Sequence, residues 1–282
     1  MIILKNLLAR SIAFLKNNNI VNSDVSAEVI ICHVLKIKKN DLYFHLEKKV
    51  TKQKEKAILL LLQRRANREP IDYILKNSEF YNLDLFINRS VLIPRQETEL
   101  LVDLIIKNLE KENLNKKILL DVCCGSGCIG LALKKRFPDL KIYLSDISKK
   151  AISVSKINAK RNNLKVFFKE GDLFAKFSKI KADYIVCNPP YVSEEEYLHL
   201  DKDVKDFEPE IALVAKKKGL DFYVRIEKEA YQCLKPQGKI FLEIGHNQKN
   251  DIQNIFLNGK WKNSKVYRDY SGKDRFFFVE IE

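Results

Sequence analysis

The sequence predicts an α/β fold, in which a parallel sheet carries helices on both faces, preceded by a small helical domain. The first observation is an alternation, because from residue 117 onward short apolar runs alternate with stretches of helical periodicity. The second is a change of period near residue 78, since the residues before it show helical spacing only. The third is a glycine-rich junction after the first short apolar run, as occurs where a parallel strand turns into its helix.

Residues 1–77 are predicted to form a small helical bundle. The apolar residues of the first helix recur at helical spacing, at Leu4, Leu7, Leu8, Ile12 and Leu15. The stretch 22–24 (Asn-Ser-Asp) is a cap signal for a second helix, and Thr51 can cap a third. The third helix must end before Pro70, because proline cannot continue a helix.

Residues 78–93 change to the period of a strand, and we expect a β-hairpin with its turn near Asn82 or at Asn88-Arg89. Pro94 ends this hairpin, and a helix begins near Thr98. We therefore divide the chain into a helical domain of residues 1–77, a hairpin linker of residues 78–95 and an α/β domain of residues 96–282.

Five strands are expected in the α/β domain, at residues 117–122, 141–145, 165–170, 182–187 and 239–244. Helical patterns lie between them, at residues 129–137, 149–162 and 220–234. The tail differs, because residues 265–268 and 275–281 flank Gly272, which predicts a closing antiparallel pair.

The composition is that of a protein with a sizeable core, since 46% of its 282 residues are hydrophobic and 31% are charged. No segment approaches the roughly 18 consecutive apolar residues that a membrane span needs. Lys5 and Arg10 interrupt the apolar start of the chain, which argues against a signal peptide. We therefore expect a cytoplasmic protein that has no contact with a membrane.

The net charge of +14 is concentrated near the N-terminus, where the first 77 residues hold 15 lysines and arginines against seven carboxylates. A basic surface favours nucleic acid or an acidic protein partner. The chain is also rich in Lys, Asn and Ile throughout, so the charge is equally consistent with a solvated surface of biased composition.

The six cysteines and four histidines predict neither disulfides nor a metal site. Three cysteines crowd one junction, at residues 123, 124 and 128, and the histidines form no ligand pattern. Cysteines at strand ends usually serve as small buried apolar residues. We expect no metal.

The residues Asn188-Pro189-Pro190-Tyr191 follow the strand predicted for residues 182–187. The two prolines lack N–H groups and favour extended backbone, so the loop leaves the strand end stiffly. The Asn188 side-chain oxygen and the Pro189 carbonyl can accept both hydrogens of an amide or exocyclic amine, and Tyr191 offers a flat face. The loop therefore suits a reaction at a planar NH₂ nitrogen, although a rigid turn with a packing tyrosine would show the same residues.

The junction after the first strand, residues 121–130, fits the pattern G-x-G-x-x-G through Gly125, Gly127 and Gly130. This pattern alone indicates only that the backbone can approach a ligand closely. Asp121 precedes the glycines and is placed to meet a cationic group of a cofactor.

Two further aspartates favour one cofactor over another. Asp146 ends the second strand, where a carboxylate can take both hydroxyls of a ribose, and Asp172 follows the third, where a carboxylate can accept from an adenine amine. A pyrophosphate would be repelled by Asp121, whereas a methionine ammonium would not. The combination favours S-adenosylmethionine over NAD, although each aspartate taken alone could be a cap or turn residue.

Beside the glycine junction, five stretches carry a resemblance to a known family: Arg68–Leu75, Glu79–Tyr81, Leu92–Glu99, Asn188–Tyr191 and Phe207–Leu213. Through them the chain resembles the HemK/PrmC protein-glutamine methyltransferases over nearly its whole length. Ile-Pro-Arg-x-Glu-Thr-Glu and Phe-Glu-Pro are the most family-specific of these.

The resemblance implies a seven-stranded, Rossmann-like class I methyltransferase domain behind a helical domain that engages the substrate and a β-hairpin linker. It implies S-adenosylmethionine as cofactor and the Gly-Gly-Gln glutamine of peptide chain release factors as substrate, in support of translation termination. We expect the following residues to bind the cofactor: Cys123, Cys124, Gly125, Ser126, Gly127, Asp146, Asp172, Leu173 and Asn188. Asn188, Pro189, Pro190 and Tyr191 would bind the glutamine amide, with Asn188, Pro189 and Tyr191 as catalytic residues.

Two departures from the family pattern are visible. Cys123 stands where the family usually has the first glycine of the loop, and Lys76 stands where a glycine often follows Tyr-Ile-Leu. Neither removes a chemical group that the reaction needs, and cysteine is small enough for the backbone still to pass the cofactor.

Three other functions stay open. A nucleic-acid methyltransferase acting on an exocyclic base amine would use the same loop, although the basic segment lacks interleaved aromatic residues, and contact with nucleic acid is otherwise expected only at the ribosome. An NAD-dependent dehydrogenase would need a hydride-transfer residue that the sequence does not show. A binding module without activity would not need Asn188–Tyr191 intact.

Overall fold

The computed structural model describes all residues, Met1–Glu282, and divides them into two compact units. The first unit comprises Met1–Lys76 together with Asp201–Phe207, and the second comprises Asn77–Leu200 and Glu208–Glu282. None of the helices combines the length and the apolar character needed to cross a bilayer.

The elements are numbered in chain order. The helices are α1 (Leu4–Asn17), α2 (Ser23–Leu35), α3 (Lys52–Ala66), α4 (Ile71–Leu75), α5 (Gln96–Leu109), α6 (Cys128–Arg136), α7 (Lys149–Arg161), α8 (Glu194–Leu198), α9 (Lys202–Lys205), α10 (Lys216–Gly219), α11 (Asp221–Ala230) and α12 (Lys249–Ile255). The strands are β1 (Ile2–Ile3), β2 (Lys49–Val50), β3 (Ser78–Phe80), β4 (Leu83–Leu85), β5 (Ile118–Val122), β6 (Lys141–Asp146), β7 (Phe167–Glu170), β8 (Ala182–Cys187), β9 (Leu234–Glu243), β10 (Trp261–Arg268) and β11 (Asp274–Ile281).

The first unit is a bundle in which α1, α2 and α3 share one apolar core. The Thr51 hydroxyl accepts from the Lys54 N–H at 3.4 Å and caps α3 as predicted. The cap signal at residues 22–24 marks the start of α2 as predicted, although Asn22, in the N-cap position, has left-handed backbone and its side chain makes no capping bond. The prediction of helices alone also missed the pair β1–β2, whose two-residue strands are too short to show an alternating pattern.

The segment 201–207 belongs to the first unit although its flanking residues belong to the second. The Asp203 carboxylate accepts a hydrogen bond from Arg65 Nη1 at 2.8 Å and lies 3.5 Å from Arg68 Nη1. Arg65 precedes Asp203 by 138 positions, so chain continuity gives no sign of this ion pair.

The second unit is built on a seven-stranded sheet of order β10-β11-β9-β8-β5-β6-β7. Five neighbouring strands of this sheet are parallel, namely β9, β8, β5, β6 and β7. Strands β11 and β10 pair antiparallel at the β9 edge and close the sheet. The predicted α/β fold with its antiparallel tail is confirmed. Strand β6 lies on one side of β5 and strand β8 on its other side, so the order of the strands reverses at β5. At such a switch point the carboxyl ends of the strands leave a crevice.

The hairpin is shorter than expected. β3 pairs with β4, and its turn lies at Tyr81 and Asn82, both with left-handed backbone. The alternative turn at Asn88-Arg89 is wrong, because no strand follows β4 before α5.

Candidate active site

A cavity of about 250 Å³ lies at the carboxyl ends of the parallel strands, within the second unit. Most of its wall is apolar, with Ile147, Leu173 and Phe222 among the lining side chains. Few polar groups therefore orient a bound molecule, and their positions decide what the cavity can hold.

The loop between β5 and α6 forms one wall of the cavity. Cys123 has left-handed backbone, with φ +58°, which explains why the family that the sequence resembles usually carries glycine here. Gly127 does not line the cavity, and a Cβ there would lie 3.1 Å from side-chain atoms of Leu144 and Ser155, so its role in cofactor binding stays a prediction. Asn158 in α7 donates to the Ser126 carbonyl at 2.9 Å and so holds the loop from behind.

Asp146, the last residue of β6, lines the cavity with its carboxylate. Its Oδ2 accepts from the Gly125 N–H at 2.9 Å and its Oδ1 from the Ser148 N–H at 2.8 Å. Burial raises the pKa of this carboxyl, and the two backbone N–H groups act against that rise. Because each carboxylate oxygen has two lone pairs, one on each remains for a pair of hydroxyl groups.

Asp121, which the sequence predicts to meet a cationic group of the cofactor, lies beneath the loop rather than at the cavity wall. Its carboxyl is buried beneath the loop, where Oδ2 accepts from the Gly130 N–H at 2.8 Å, and Asp121 does not line the cavity. Oδ1 has no hydrogen-bond partner. Burial raises the pKa of Asp121 to about 7, the Gly130 N–H opposes the rise, and the charge of Asp146 adds to it.

Asp172 and Leu173 both line the cavity, beyond the end of β7. The Asp172 carboxylate is engaged by Arg225 Nη2 at 2.9 Å, an ion pair that the sequence analysis did not foresee. The side chain of Asp172 is 46% exposed, so it retains acceptor positions for a further donor.

The loop after β8 brings Asn188 and Pro190 to the cavity wall, next to Pro189 and Tyr191 in the chain. Asn188 Nδ2 lies 3.5 Å from the hydroxyl oxygen of Thr98, in the first turn of α5. Thr98 in turn donates to Glu243 at 2.7 Å, and the Tyr191 hydroxyl lies 3.4 Å from the same carboxylate. The loop is therefore tied to two residues that are distant in the sequence.

The stretch 93–95 is joined to Glu208 of the Phe-Glu-Pro stretch. Arg95 Nη2 donates to Glu208 at 2.6 Å, and the Ile93 N–H donates to the other oxygen of the same carboxylate at 3.1 Å. Arg95 lines the cavity, so the two most family-specific stretches of the sequence meet at its wall.

Of the predicted site residues, the cavity wall contains Cys123, Cys124, Gly125, Ser126, Asp146, Asp172, Leu173, Asn188 and Pro190. Three polar residues at or behind this wall were not predicted from the sequence, namely Thr98, Arg225 and Glu243. Their common feature is a contact with a residue already singled out, which no spacing along the chain reveals. No group of histidines, cysteines and carboxylates could hold a metal ion.

Comparison with known proteins accounts for most of the chain. The family model of the PrmC N-terminal domain matches residues 6–75, and that of the methyltransferase small domain matches residues 95–203. The release factor glutamine methyltransferase of Chlamydia trachomatis serovar D is 39% identical over 277 residues, which cover 98% of this chain and 94% of that protein. The chain belongs to the release factor glutamine methyltransferase family. The resemblance stated from the sequence is thereby confirmed.

A second relative agrees with this assignment. The release factor glutamine methyltransferase of Thermodesulfovibrio yellowstonii is 39% identical over 90% of this chain and 91% of its own length. Among solved structures, a methyltransferase from Pyrococcus furiosus matches with a TM-score of 0.52 and 19% identity, over 71% of this chain and 88% of that one. This match supports the class I methyltransferase fold of the second unit.

S-adenosylmethionine is the cofactor of this methyltransferase family, and the cavity has groups that suit it. Asp146 offers two acceptor positions for the ribose, and apolar side chains can cover a flat base. The residues present therefore fit the cofactor.

Proposed function

We propose that this chain transfers a methyl group from S-adenosylmethionine to the side-chain amide nitrogen of the glutamine in the Gly-Gly-Gln motif of peptide chain release factors. The observation that carries the proposal is the position of Asn188, at the end of β8 and in the wall of the cofactor cavity. The family relationship supports this substrate in preference to an exocyclic base amine.

Positioning is the main task of the site, because an amide nitrogen is a poor nucleophile. The bound cofactor supplies a methyl group activated by a sulfonium. Asn188 Oδ1 and the Pro189 carbonyl would each accept one hydrogen of the glutamine amide and so fix its plane. Pro190 has no N–H, so no donor beside that carbonyl competes with the substrate. Holding the reacting nitrogen in line at near-attack distance supplies most of the acceleration.

Tyr191 supports the loop from behind rather than covering the amide from within the cavity. It packs against the core of the second unit, and burial raises the pKa of its hydroxyl well above the usual range. The hydroxyl therefore stays protonated and acts as a donor to Glu243. The proton lost from the methylated nitrogen passes to solvent, since that nitrogen becomes acidic on methylation.

The helical unit is assigned to recognition of the release factor. It carries the excess of lysine and arginine within the first 77 residues, and the cavity-lining residues all lie in the other unit. A positive surface accelerates encounter with an acidic partner and loses that effect as salt rises. Any contact with nucleic acid is proposed only at the ribosome, and the reaction is placed in the cytoplasm, where release factors work.

The direct test is incubation of the purified protein with methyl-labelled S-adenosylmethionine and purified release factors, followed by peptide mapping. We expect the label on the Gly-Gly-Gln peptide, and none on a release factor whose glutamine is replaced by alanine. Parallel incubation with total RNA tests the rival substrate. Label in RNA and none in release factor would replace the proposed function with that of a base methyltransferase.

A further inference from the structure

Two buried residues outside the loop Asn188–Tyr191 contact side chains of that loop. Thr98 and Glu243 are 2% and 1% exposed, and the Thr98 hydroxyl donates to Glu243 Oε2 at 2.7 Å. Asn188 Nδ2 lies 3.5 Å from the Thr98 oxygen, and the Tyr191 hydroxyl lies 3.4 Å from Glu243 Oε1. Glu243 ends β9, which runs beside β8, so its backbone is fixed by the sheet that carries the loop.

With Glu243 ionised, the donors and acceptors along this path permit one arrangement. An ionised carboxylate only accepts, so Glu243 takes the single hydrogen of the Thr98 hydroxyl. The Thr98 oxygen then has only lone pairs to present to Asn188, which must turn its NH₂ group toward Thr98. The Asn188 oxygen consequently faces the other way. The two ends of an asparagine amide are assigned from such partners, and here the partners agree.

We infer that Glu243 and Thr98 are positioning residues, which together orient the Asn188 amide so that its oxygen is presented to the substrate. The inference rests on the proposed function, in which Asn188 accepts a hydrogen from the glutamine amide. A reversed Asn188 would present NH₂ to the NH₂ of the substrate, and the two donors would repel each other.

The environment of Glu243 is consistent with this role. Burial raises the pKa of its carboxyl, while the hydrogen bond from Thr98, the charge of Arg275 and the hydrogen bond from Tyr191 oppose the rise. A buried carboxylate is costly to keep without partners, and here it has a donor on each oxygen. That cost is consistent with a requirement for an acceptor-only group at this place.

The test compares Thr98→Val with Thr98→Ser, because valine keeps the shape of threonine without the hydroxyl and serine keeps the hydroxyl. We expect Thr98→Val to lower kcat on release factor about tenfold or more, since loss of alignment acts on the transition state. Thr98→Ser should stay within about threefold of wild type. The Kd for S-adenosylmethionine, measured by calorimetry, should be unchanged in both variants.

Glu243→Gln tests the origin of the orientation, because a neutral amide has a donor and an acceptor and no longer dictates the direction of the Thr98 hydrogen. We expect a lower kcat with unchanged cofactor Kd. Ser153→Ala is the control: Ser153 lies in α7, its hydroxyl donates to the Lys149 carbonyl and it does not line the cavity, so its loss should leave kcat unchanged.

Each outcome decides between the possibilities. Wild-type kcat in Thr98→Val overturns the inference, as does an equal loss in Thr98→Ser or a parallel loss of cofactor binding. Wild-type kcat in Glu243→Gln would show that Glu243 does not orient the Asn188 amide through Thr98. Failure of the wild-type protein to methylate release factor in the same assay contradicts the proposed function instead, so the two failures are distinguishable.

Discussion

Replacement of Asp146 by alanine should weaken S-adenosylmethionine binding about 100-fold. The carboxylate already accepts from Gly125 and Ser148, at 2.9 and 2.8 Å, and keeps one lone pair on each oxygen for the ribose hydroxyls. A hydrogen bond to a charged group contributes roughly 1.5–3 kcal/mol. Loss of two at the lower end gives about 3 kcal/mol, and each 1.4 kcal/mol is about tenfold in Kd.

Calorimetric titration with S-adenosylmethionine at neutral pH measures this effect directly. Asp172→Ala is the matched control, because that carboxylate also lines the cavity but is 46% exposed and paired with Arg225. It should lose less than about tenfold. Wild-type affinity should also fall as the pH falls through the raised pKa of Asp146, since protonation removes an acceptor. A Kd for Asp146→Ala within about threefold of wild type would reduce Asp146 to a turn residue.

Three further variants test other parts of the molecule. Asn188→Ala should lower turnover about 100-fold or more with cofactor affinity largely kept. Retention of over about a third of the activity would refute the amide clamp, that is, the holding of the glutamine amide by Asn188 Oδ1 and the Pro189 carbonyl. Asp121, whose folded pKa of about 7 lies above its unfolded value, stabilises the ligand-free fold at low pH and loses this contribution as pH rises toward 7, so Asp121→Asn should flatten thermal stability between about pH 4 and 7. A steep remaining slope would assign the pH dependence elsewhere. A folded fragment of residues 78–282 should bind the cofactor yet lose most activity on release factor, and Asp203→Ala in the full chain should lose far less. Equal losses would mean that the helical unit acts through segment 201–207 rather than by recognising the substrate.

The sequence was sufficient to predict the parallel part of the sheet and the polar residues at its strand ends. Strands β5, β6 and β8 are short, mostly apolar runs whose residues are largely buried, and polar residues at the ends of parallel strands must meet at one edge. Two features could not be predicted from the sequence, because both depend on partners far along the chain. They are the ion pair of Asp172 with Arg225 and the position of Asp203 in the helical unit. Asp121 was misjudged for a related reason: its position before the glycines is compatible with facing the ligand or supporting the loop from below.

The reactive loop illustrates why a motif of four residues is not a site by itself. The Tyr191 carbonyl accepts from Gln248 Nε2 at 3.0 Å, and Gly219 lies so close that a Cβ there would be 2.2 Å from the same oxygen. Thr98 and Glu243 hold the side chains of Asn188 and Tyr191 on the other side. A loop without prolines could relax around a ligand, but two prolines transmit the positions of their neighbours rigidly. The geometry of the amide clamp therefore depends on α5, β9 and the segment around Gly219 as much as on Asn188-Pro189-Pro190-Tyr191.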